Sequence, residues 1–303
     1  MSKKHYTIDD ISPFLPKNST VVSNIQVPIS ITSVGQTLLA DNMELTFIDS
    51  KRADKQELYE KSNAGIIICD NEIVDKPKDY QQTIIKVDLP KLVFSIVANA
   101  LFVNRPTYGI HPTAFIHPEA DIHVNSHIGA FSYIGKCKIG EGTIIYGNCH
   151  FYDKVEIGRN AIIHAGVVLG ADGYGYNRDH EGFPVQFPHL GSIVIEDFVE
   201  IGANTAIDMG ALGATRIKYA SKVDNLVHIG HNVEVGRCCY VAANTSIAGS
   251  TIVDDYSEIW MGSSIADGLK VGKRSSIGIG STVIRDVDEK KKVFGNPARV
   301  ISS

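Results

Sequence analysis

Two histidines spaced three residues apart could carry out acid–base or metal chemistry in this sequence. His228 and His231 lie in the segment NLVHIGHNVEVG. An imidazole titrates near neutral pH, so it can accept a proton as a general base, and it is also a common ligand of Zn²⁺. Both side chains could equally be polar residues on an outer surface. Which role is available depends on the backbone that carries them.

The sequence around the histidines repeats every six residues. A period of six fits neither an amphipathic helix nor an alternating strand, and it is typical of the hexapeptide class of parallel β-helix. We therefore predict a mainly β fold, a left-handed parallel β-helix, in which three hexads form a coil of about eighteen residues. Gly follows many of the aliphatic residues and is expected to allow sharp corners, partly by adopting positive φ. The aliphatic residues that keep one unbroken register, and are expected to point inward, are Ile217, Val223, Ile229, Val235, Val241, Ile247, Val253, Ile259, Ile265, Val271, Ile277 and Val283.

The chain divides into parts with different patterns. Residues 1–105 contain the short apolar runs LTFID, AGIIICD and TIIKV and the helical pattern LPKLVFSIVANALF, which together predict an α/β domain. Residues 106–288 carry the hexads, and 289–303 are expected to form a short tail. The hexads are interrupted at 170–192 by a stretch rich in Gly and aromatic residues, which we expect to be a loop insertion used for binding or assembly.

Composition excludes several classes of protein. The formal net charge of -5 and the pI near 6.1 argue against nucleic-acid binding. The five cysteines are odd in number and form no C-x-x-C motif, which favours a reducing compartment. The segment MSKKHYTIDDISPF lacks the apolar core of a signal peptide, and no stretch approaches the roughly 20 apolar residues of a membrane-spanning helix. We therefore expect a cytoplasmic protein without a membrane span.

Four motifs, in this order, resemble one enzyme family. They are GADGYGY, FPHLGSIVIEDFVEIGANTAIDMGAL, VDNLVHIGHNVEVG and ANTSIAGST. Together they resemble the UDP-3-O-(3-hydroxyacyl)glucosamine N-acyltransferases of lipid A biosynthesis, a hexapeptide-repeat family. The first 105 residues are also similar to the uridine-binding domain of that family.

The resemblance implies an enzyme in which the amine of a nucleotide-linked amino sugar attacks an acyl thioester on acyl carrier protein. It implies a homotrimer with its sites between subunits, and neither a permanently bound cofactor nor a metal. The general base of the family corresponds to His231. Gly249 is a candidate oxyanion donor, because it lies one coil after His231. The residues expected to contact substrates are Phe47, Asp172, Gly173, Tyr174, Tyr176, Asn204, Asp208, Asn232 and Gly249.

The sequence departs from the family pattern in three places. The family stacks uracil within F-x-x-N-x-x-Y, but here FIDSKRA keeps Phe47 and has Ser50 and Ala53 at the other two positions. A substrate-contacting histidine of the family corresponds to Gly268. The ending GNPARVI resembles that of CoA-dependent sugar acetyltransferases. An acyl-CoA-dependent N-acyltransferase for another nucleotide amino sugar of surface polysaccharide therefore remains an alternative.

Two other classes share the β-helix. A zinc-dependent lyase similar to the γ-carbonic anhydrases needs three histidines around one Zn²⁺. His228 and His231 straddle a corner of the repeat, whereas His150 and His164 lie before the insertion, so the sequence leaves their convergence open. A scaffold without catalytic activity is the third reading, in which such histidines are only solvated.

Overall fold

The computed structural model describes residues 4–23, 28–75 and 82–302. The chain separates into two compact units, residues 1–105 and 106–303. The predicted fold class, a left-handed parallel β-helix preceded by an α/β domain, is confirmed. No helix among the described residues is long and apolar enough to cross a membrane.

The first unit is a five-stranded sheet with helices. Its sheet order is β1-β5-β4-β3-β2, in which β1 is antiparallel to β5 and the other pairs are parallel. The predicted runs AGIIICD and TIIKV contain β4 and β5, and LTFID contains β3 except for its first residue, Glu44. The elements are α1 Ile8–Ile11, a 3-10 turn Ser12–Phe14, β1 Thr20–Ser23, β2 Ser33–Val34, β3 Glu44–Phe47, α2 Lys55–Lys61, β4 Ile66–Cys69, β5 Thr83–Lys86 and α3 Pro90–Leu101.

The central strand β4 explains the two cores of this unit. Successive residues of a strand point to opposite faces of the sheet. Ile66 and Ile68 accordingly pack in one cluster with Val93 of α3, whereas Ile67 packs in the other with Leu58 of α2. All four residues of β4 are fully buried, which is why AGIIICD reads as a continuous apolar run.

The second unit is built mainly from short strands, and successive strands along the chain belong in turn to each of three parallel sheets. Sheet A has nine strands, sheet B has eight and sheet C has eleven. The strands in chain order are β6 Gly109–Ile110, β7 Phe115–Ile116, β8 Asp121–Ile122, β9 His127–Ile128, β10 Tyr133–Ile134, β11 Lys138–Ile139, β12 Ile144–Ile145, β13 His150–Phe151, β14 Val155–Ile157, β15 Ile162–Ile163, β16 Val168–Ala171, β17 Tyr176–Arg178, β18 Pro184–Gln186, β19 Ser192–Ile195, β20 Glu200–Ile201, β21 Ala206–Asp208, β22 Ala214–Ile217, β23 Lys222–Val223, β24 His228–Ile229, β25 Glu234–Val235, β26 Tyr240–Val241, β27 Ser246–Ile247, β28 Ile252–Val253, β29 Glu258–Ile259, β30 Ser264–Ile265, β31 Lys270–Val271, β32 Ser276–Ile277, β33 Thr282–Val283, β34 Lys292–Phe294 and β35 Arg299–Ser302. Sheet A is β33-β30-β27-β24-β21-β16-β13-β10-β7, sheet B is β31-β28-β25-β22-β19-β14-β11-β8, and sheet C is β35-β34-β32-β29-β26-β23-β20-β15-β12-β9-β6.

The aliphatic residue of each hexad fills the interior. Ile229 pairs with Ile207 in the preceding coil and with Ile247 in the following one. All twelve residues of the unbroken register are at most 2% exposed. Burying a Val or Ile side chain stabilises a fold by about 1.5–3 kcal/mol, so this column is the main apolar core of the unit.

The corners differ from the expectation that Gly supplies the positive φ. That expectation was wrong for the corner next to the histidines. The left-handed conformation there falls on Leu226 and Asn232, three residues after an inward aliphatic, with φ of 58° and 59°. Gly230 serves close packing instead, because a Cβ on it would lie 2.8 Å from the amide nitrogen of Gly249 in the next coil.

The insertion and the C-terminal segment complete the unit. The chain leaves sheet A after β16, forms the antiparallel hairpin β17–β18 and rejoins the β-helix in sheet B at β19. The segment 289–303, expected to be a tail, contributes β34, which is parallel to β32, and β35, which is antiparallel to β34.

Candidate active site

His231 lies on the corner between β24 and β25. The inward position of Ile229 fixes the register, so His231, two residues later, is half-buried at the edge of sheet A. Its carbonyl oxygen accepts a hydrogen bond of 2.8 Å from the amide of Ser250 in the next coil. The backbone of the histidine is therefore held by the stacking of coils.

Asn232 determines which ring nitrogen of His231 carries the proton. The Asn232 side-chain oxygen Oδ1 accepts a 2.9 Å hydrogen bond from the amide of Ala211, so this atom is an acceptor. The same oxygen lies 3.2 Å from Nδ1 of His231. Because a carbonyl oxygen can only accept, Nδ1 carries the hydrogen and Nε2 keeps a free lone pair. This is the tautomer that a general base requires.

Gly249 leaves room for the imidazole in the following coil. A Cβ on Gly249 would lie 2.6 Å from Nε2 and 2.7 Å from Cε1 of His231, and 3.0 Å from Oδ1 of Asp267. Any side chain at this position would push the ring away. Among the described residues, none accepts a hydrogen bond from the Gly249 amide, so that N–H is available to a ligand.

Asp208 places a buried carboxylate beside the histidines. It is the last residue of β21, only 7% exposed, and its Oδ2 lies 3.6 Å from Nε2 of His228. Burial raises the pKa of the Asp208 carboxyl above its ordinary value, although the nearby His228, His231 and His189 oppose this shift. His228 is an exposed residue of β24 and contributes to the charge around Asp208.

His189 is a site residue that sequence reasoning missed. It follows the hairpin in FPHLGS, and its ring meets that of His231 edge to face, with centroids 5.2 Å apart. The side chain is 8% exposed, and neither ring nitrogen has a hydrogen-bond partner among the described residues. No hexad covers this stretch, so only the residue type and its place in the motif order could have indicated it.

The loop after β16 closes over these side chains. Tyr174 and Tyr176 contact each other, with ring centroids 5.3 Å apart, and both line the cavity that contains His231. Asp172 accepts a 3.0 Å hydrogen bond from Gln186 across the insertion. A Cβ on Gly173 would meet His189, Asp208 and His231 at 3.0–3.1 Å, so a side chain at this position would have to displace these three groups slightly.

Two neighbouring cavities result. The first, of about 780 Å³, is large enough for a small ligand and contains the general-base candidate. The second, of about 450 Å³, is lined by Asp172, His189 and Met209 among others. The first is lined by Tyr174, Gly175, Tyr176, Asn177, Phe187, Asp208, His228, Gly230, His231, Ser246, Ala248, Gly249, Ser264, Ile265 and Asp267.

Two of the predicted substrate contacts lie elsewhere. Asn204 is an exposed corner residue with a φ of 57° and is not among the residues that line either cavity. The backbone amide of Asn204 donates a hydrogen bond to the carbonyl oxygen of Ala165, so its position fits a role in the turn. Phe47 belongs to the first unit, where its ring packs on Phe94 at 4.7 Å. Gly268 is a corner residue with a φ of 67° and open space around it.

The zinc alternative has no support. Within the described part of the chain, no group of three or more His, Cys, Asp or Glu side chains is placed to hold a metal ion. His150 stacks on Tyr133, and His164 pairs with Glu200 at 3.0 Å on sheet C, so neither joins His231. The structure therefore does not assemble the three-histidine set that such a lyase needs.

Known proteins resemble the chain over part of its length. Residues 136–171 match the bacterial transferase hexapeptide family (six repeats). UDP-3-O-acylglucosamine N-acyltransferases of Caulobacter sp. (strain K31) and Wolinella succinogenes are 43% and 40% identical over 143 and 155 residues. The predicted family resemblance is confirmed. The matches to these acyltransferases cover 47% and 51% of this chain, and the chain spans just under half of their length, 42% and 48%.

Solved structures support the fold independently. The UDP-N-acetylglucosamine acyltransferase from Campylobacter jejuni gives a TM-score of 0.58 at 23% identity, over 64% of this chain and 74% of that one. The corresponding enzyme from Bacteroides fragilis gives 0.54 at 26% identity, over 63% and 73%. The β-helix of these acyltransferases is thus the fold of the second unit.

Proposed function

We propose that the chain is an N-acyltransferase that moves an acyl group, such as 3-hydroxyacyl, from a thioester to the amine of a nucleotide-linked amino sugar, as in lipid A biosynthesis. The observation that carries the proposal is the hydrogen bond from Nδ1 of His231 to Asn232. It leaves Nε2 with a free lone pair at the edge of a cavity. The names of the relatives support the reaction type.

In the proposed reaction His231 moves one proton. As the amine nitrogen attacks the thioester carbonyl carbon, Nε2 takes a proton from that nitrogen, and the carbonyl oxygen becomes an oxyanion. The free N–H of Gly249 is a donor suited to that oxyanion. When the intermediate collapses, the C–S bond breaks, and the imidazolium returns its proton to the leaving thiolate. The products are an amide and a free thiol, and His231 regains its starting state.

The remaining assignments follow the same proposal. The acyl donor is a co-substrate, either acyl carrier protein or CoA, and no resident cofactor takes part. The first unit, with Phe47, would bind the nucleotide, and the loop residues Asp172, Gly173, Tyr174 and Tyr176 would contact the substrates. We further propose that the protein is cytoplasmic and forms a homotrimer. Analytical ultracentrifugation can test the trimeric state.

An acyl-transfer assay of the full chain tests the function. Wild type, His231→Ala and His180→Ala are compared with several nucleotide amino sugars, using acyl-carrier-protein and CoA thioesters as donors. His180 is the matched control, because its side chain is 90% exposed and lies outside the cavity lining. We expect His231→Ala to lower kcat by roughly 10²- to 10⁴-fold, the usual contribution of a general base. Undiminished turnover in His231→Ala would remove this residue as the base.

A further inference from the structure

The Asp208 side chain is 11% exposed and lacks a hydrogen-bond donor among the described residues. Among the described residues, no N–H or O–H group donates to it, and its closest charged neighbour is His228 at 3.6 Å. A buried carboxylate normally costs free energy unless it is paired or hydrogen-bonded. Because Asp208 also lines the cavity that contains His231, a ligand in that cavity can supply the missing donor.

His189 packs beside Asp208 and His231 against Gly173, and it lines the second cavity. Its Nε2 lies 3.0 Å from the point that a Cβ on Gly173 would occupy, and Oδ2 of Asp208 lies 3.1 Å from that point. Cδ2 of His231, the carbon bonded to Nε2, is also 3.1 Å away. The ring of His189 is 8% exposed with both nitrogens unpartnered in the described structure. Buried polar groups rarely remain unpaired, so this one also points to a ligand.

The chemistry of these groups selects a cationic donor. A carboxylate and an unprotonated imidazole nitrogen both accept hydrogen bonds from N–H groups. A primary ammonium has three N–H donors and a positive charge, and in the cavity that contains His231 it can therefore donate to the Asp208 carboxylate. A phosphate or a carboxylate in the same position would be repelled by Asp208.

We propose that Asp208 binds the ammonium form of the acceptor amine and accepts its first proton, with His189 as a positioning residue. This inference rests on the proposed N-acyl transfer and deepens it. An ammonium must lose two protons before it becomes an amide nitrogen. Asp208 takes the first from the ammonium and later releases it to water. His231 takes the second during attack and returns it to the thiolate, so protons and charge balance.

The surroundings of Asp208 favour this proton transfer. Burial raises the pKa of its carboxyl, so the group accepts a proton more readily than an exposed aspartate does. The titratable groups that face it are His189, His228, His231 and Asp172. The three histidines stabilise the ionised form, and Asp172 opposes it.

Equilibrium binding separates this inference from the catalytic proposal. UDP-glucosamine and UDP-N-acetylglucosamine serve as probes for wild type and Asp208→Asn, because the N-acetyl compound cannot carry the charge. We expect wild type to favour the amine by about tenfold, the usual effect of a charge-assisted hydrogen bond, and Asp208→Asn to lose that preference with unchanged affinity for the N-acetyl compound. A preference retained by Asp208→Asn, or no preference in wild type, overturns the inference.

A pH profile of turnover supplies the second readout. Below the pKa of the acceptor amine, Asp208→Asn should lose at least about tenfold in kcat/KM, and above it the free amine should restore the rate. An equal loss at every pH would mean a structural role and would overturn the inference. Wild type that binds the amine selectively but transfers no acyl group would instead refute the proposed function.

Two variants of His189 provide a separate test in case Asp208→Asn fails to fold. His189→Gln keeps an acceptor in the side chain and should retain most of the preference for the amine. His189→Phe keeps a buried ring without an acceptor and should lose the preference by a few-fold or more. Equal behaviour of the two variants contradicts the positioning role.

Discussion

Oδ1 of Asn232 lies between two donors, 2.9 Å from the amide nitrogen of Ala211 and 3.2 Å from Nδ1 of His231. The same residue forms the left-handed corner that turns the chain from β24 into β25. One side chain therefore sets both the path of the backbone and the tautomer of the proposed base.

Replacing Asn232 by Ala should lower kcat by roughly tenfold to hundredfold, because the imidazole loses the acceptor that holds its proton on Nδ1. Asn232→Asp keeps an acceptor oxygen and should retain most of the activity. Asn244→Ala is the matched control, since Asn244 is also a left-handed corner residue and lies outside the cavity lining. Equal losses in kcat for Asn232→Ala and Asn244→Ala would indicate corner strain and contradict the tautomer argument.

Gly249→Ala should reduce turnover without unfolding the protein. The new methyl group would lie 2.6 Å from Nε2 of His231, so the ring must shift, and a shift near 1 Å costs up to about a hundredfold in rate. Gly280→Ala controls for the loss of glycine, because its Cβ meets nothing within 4 Å, although its φ of 64° adds strain. Steady-state kinetics with circular dichroism would show wild-type kcat for Gly280→Ala. Wild-type kcat in Gly249→Ala would disprove the contact.

The column of inward aliphatics predicts a large difference in stability cost between an inward and an outward isoleucine. Ile229 is fully buried, and Ile229→Ala should lower the free energy of unfolding by about 2–5 kcal/mol through lost burial and an empty cavity. Ile252 is 42% exposed on the outer face of β28, and Ile252→Ala should change stability by no more than about 0.5 kcal/mol. Urea denaturation of both variants checks this. Similar costs at the two positions would argue against the inward register.

Buried thiols predict loss of stability in alkali. Burial raises the pKa of Cys137, Cys149 and Cys239 to about 11 and that of Cys69 to about 12, from 9.0 for a free thiol. Thiols with raised pKa values contribute stability that is complete below pH 9 and is lost as pH rises through 11 to 12. Thermal unfolding between pH 8 and pH 11 should therefore show a falling Tm. In the native state at pH 8, iodoacetamide should modify the half-buried Cys238 before these four. Faster labelling of a buried thiol would contradict this order.

The hexad register made much of the fold readable. Val and Ile at every sixth position can be buried together only on a coil with that period, so Ile229, Val235 and Ile247 could be placed inside without coordinates. The position of His231 outside the core followed from the same count. For Gly249, the sequence predicted only that it lies one coil after His231. The close contact between Gly249 and the imidazole ring could not be predicted from that spacing.

The interrupted hexads predicted where the insertion lies, but the path of the chain within it could not be predicted in this way. His189 reaches His231 because the chain leaves sheet A at Ala171 and rejoins the β-helix in sheet B at Ser192, and no repeat dictates the path between them. Asn204, named as a substrate contact from the family resemblance, is a left-handed corner residue, and its contact with substrate stays a prediction. Tight turns and substrate-binding sites favour the same polar residues, so a single sequence does not distinguish a turn residue from a substrate contact.

The pairing of Leu169 with Ile207 has a consequence for changes in chain length. Twenty residues lie between Ala171, where β16 ends, and Ser192, where β19 begins, yet β19 pairs in register with β14 of the preceding coil. An insertion that begins and ends at a corner is therefore neutral to every coil beyond it. Deleting one residue within a strand between Ile217 and Ile229 would instead turn apolar side chains to solvent and carry His231 off its corner. A corner can be one residue shorter, because Ile134 and Ile139 both keep the inward register. Insertions and deletions in this protein should therefore lie mainly at corners. Elsewhere, only those that restore the hexad register should be tolerated.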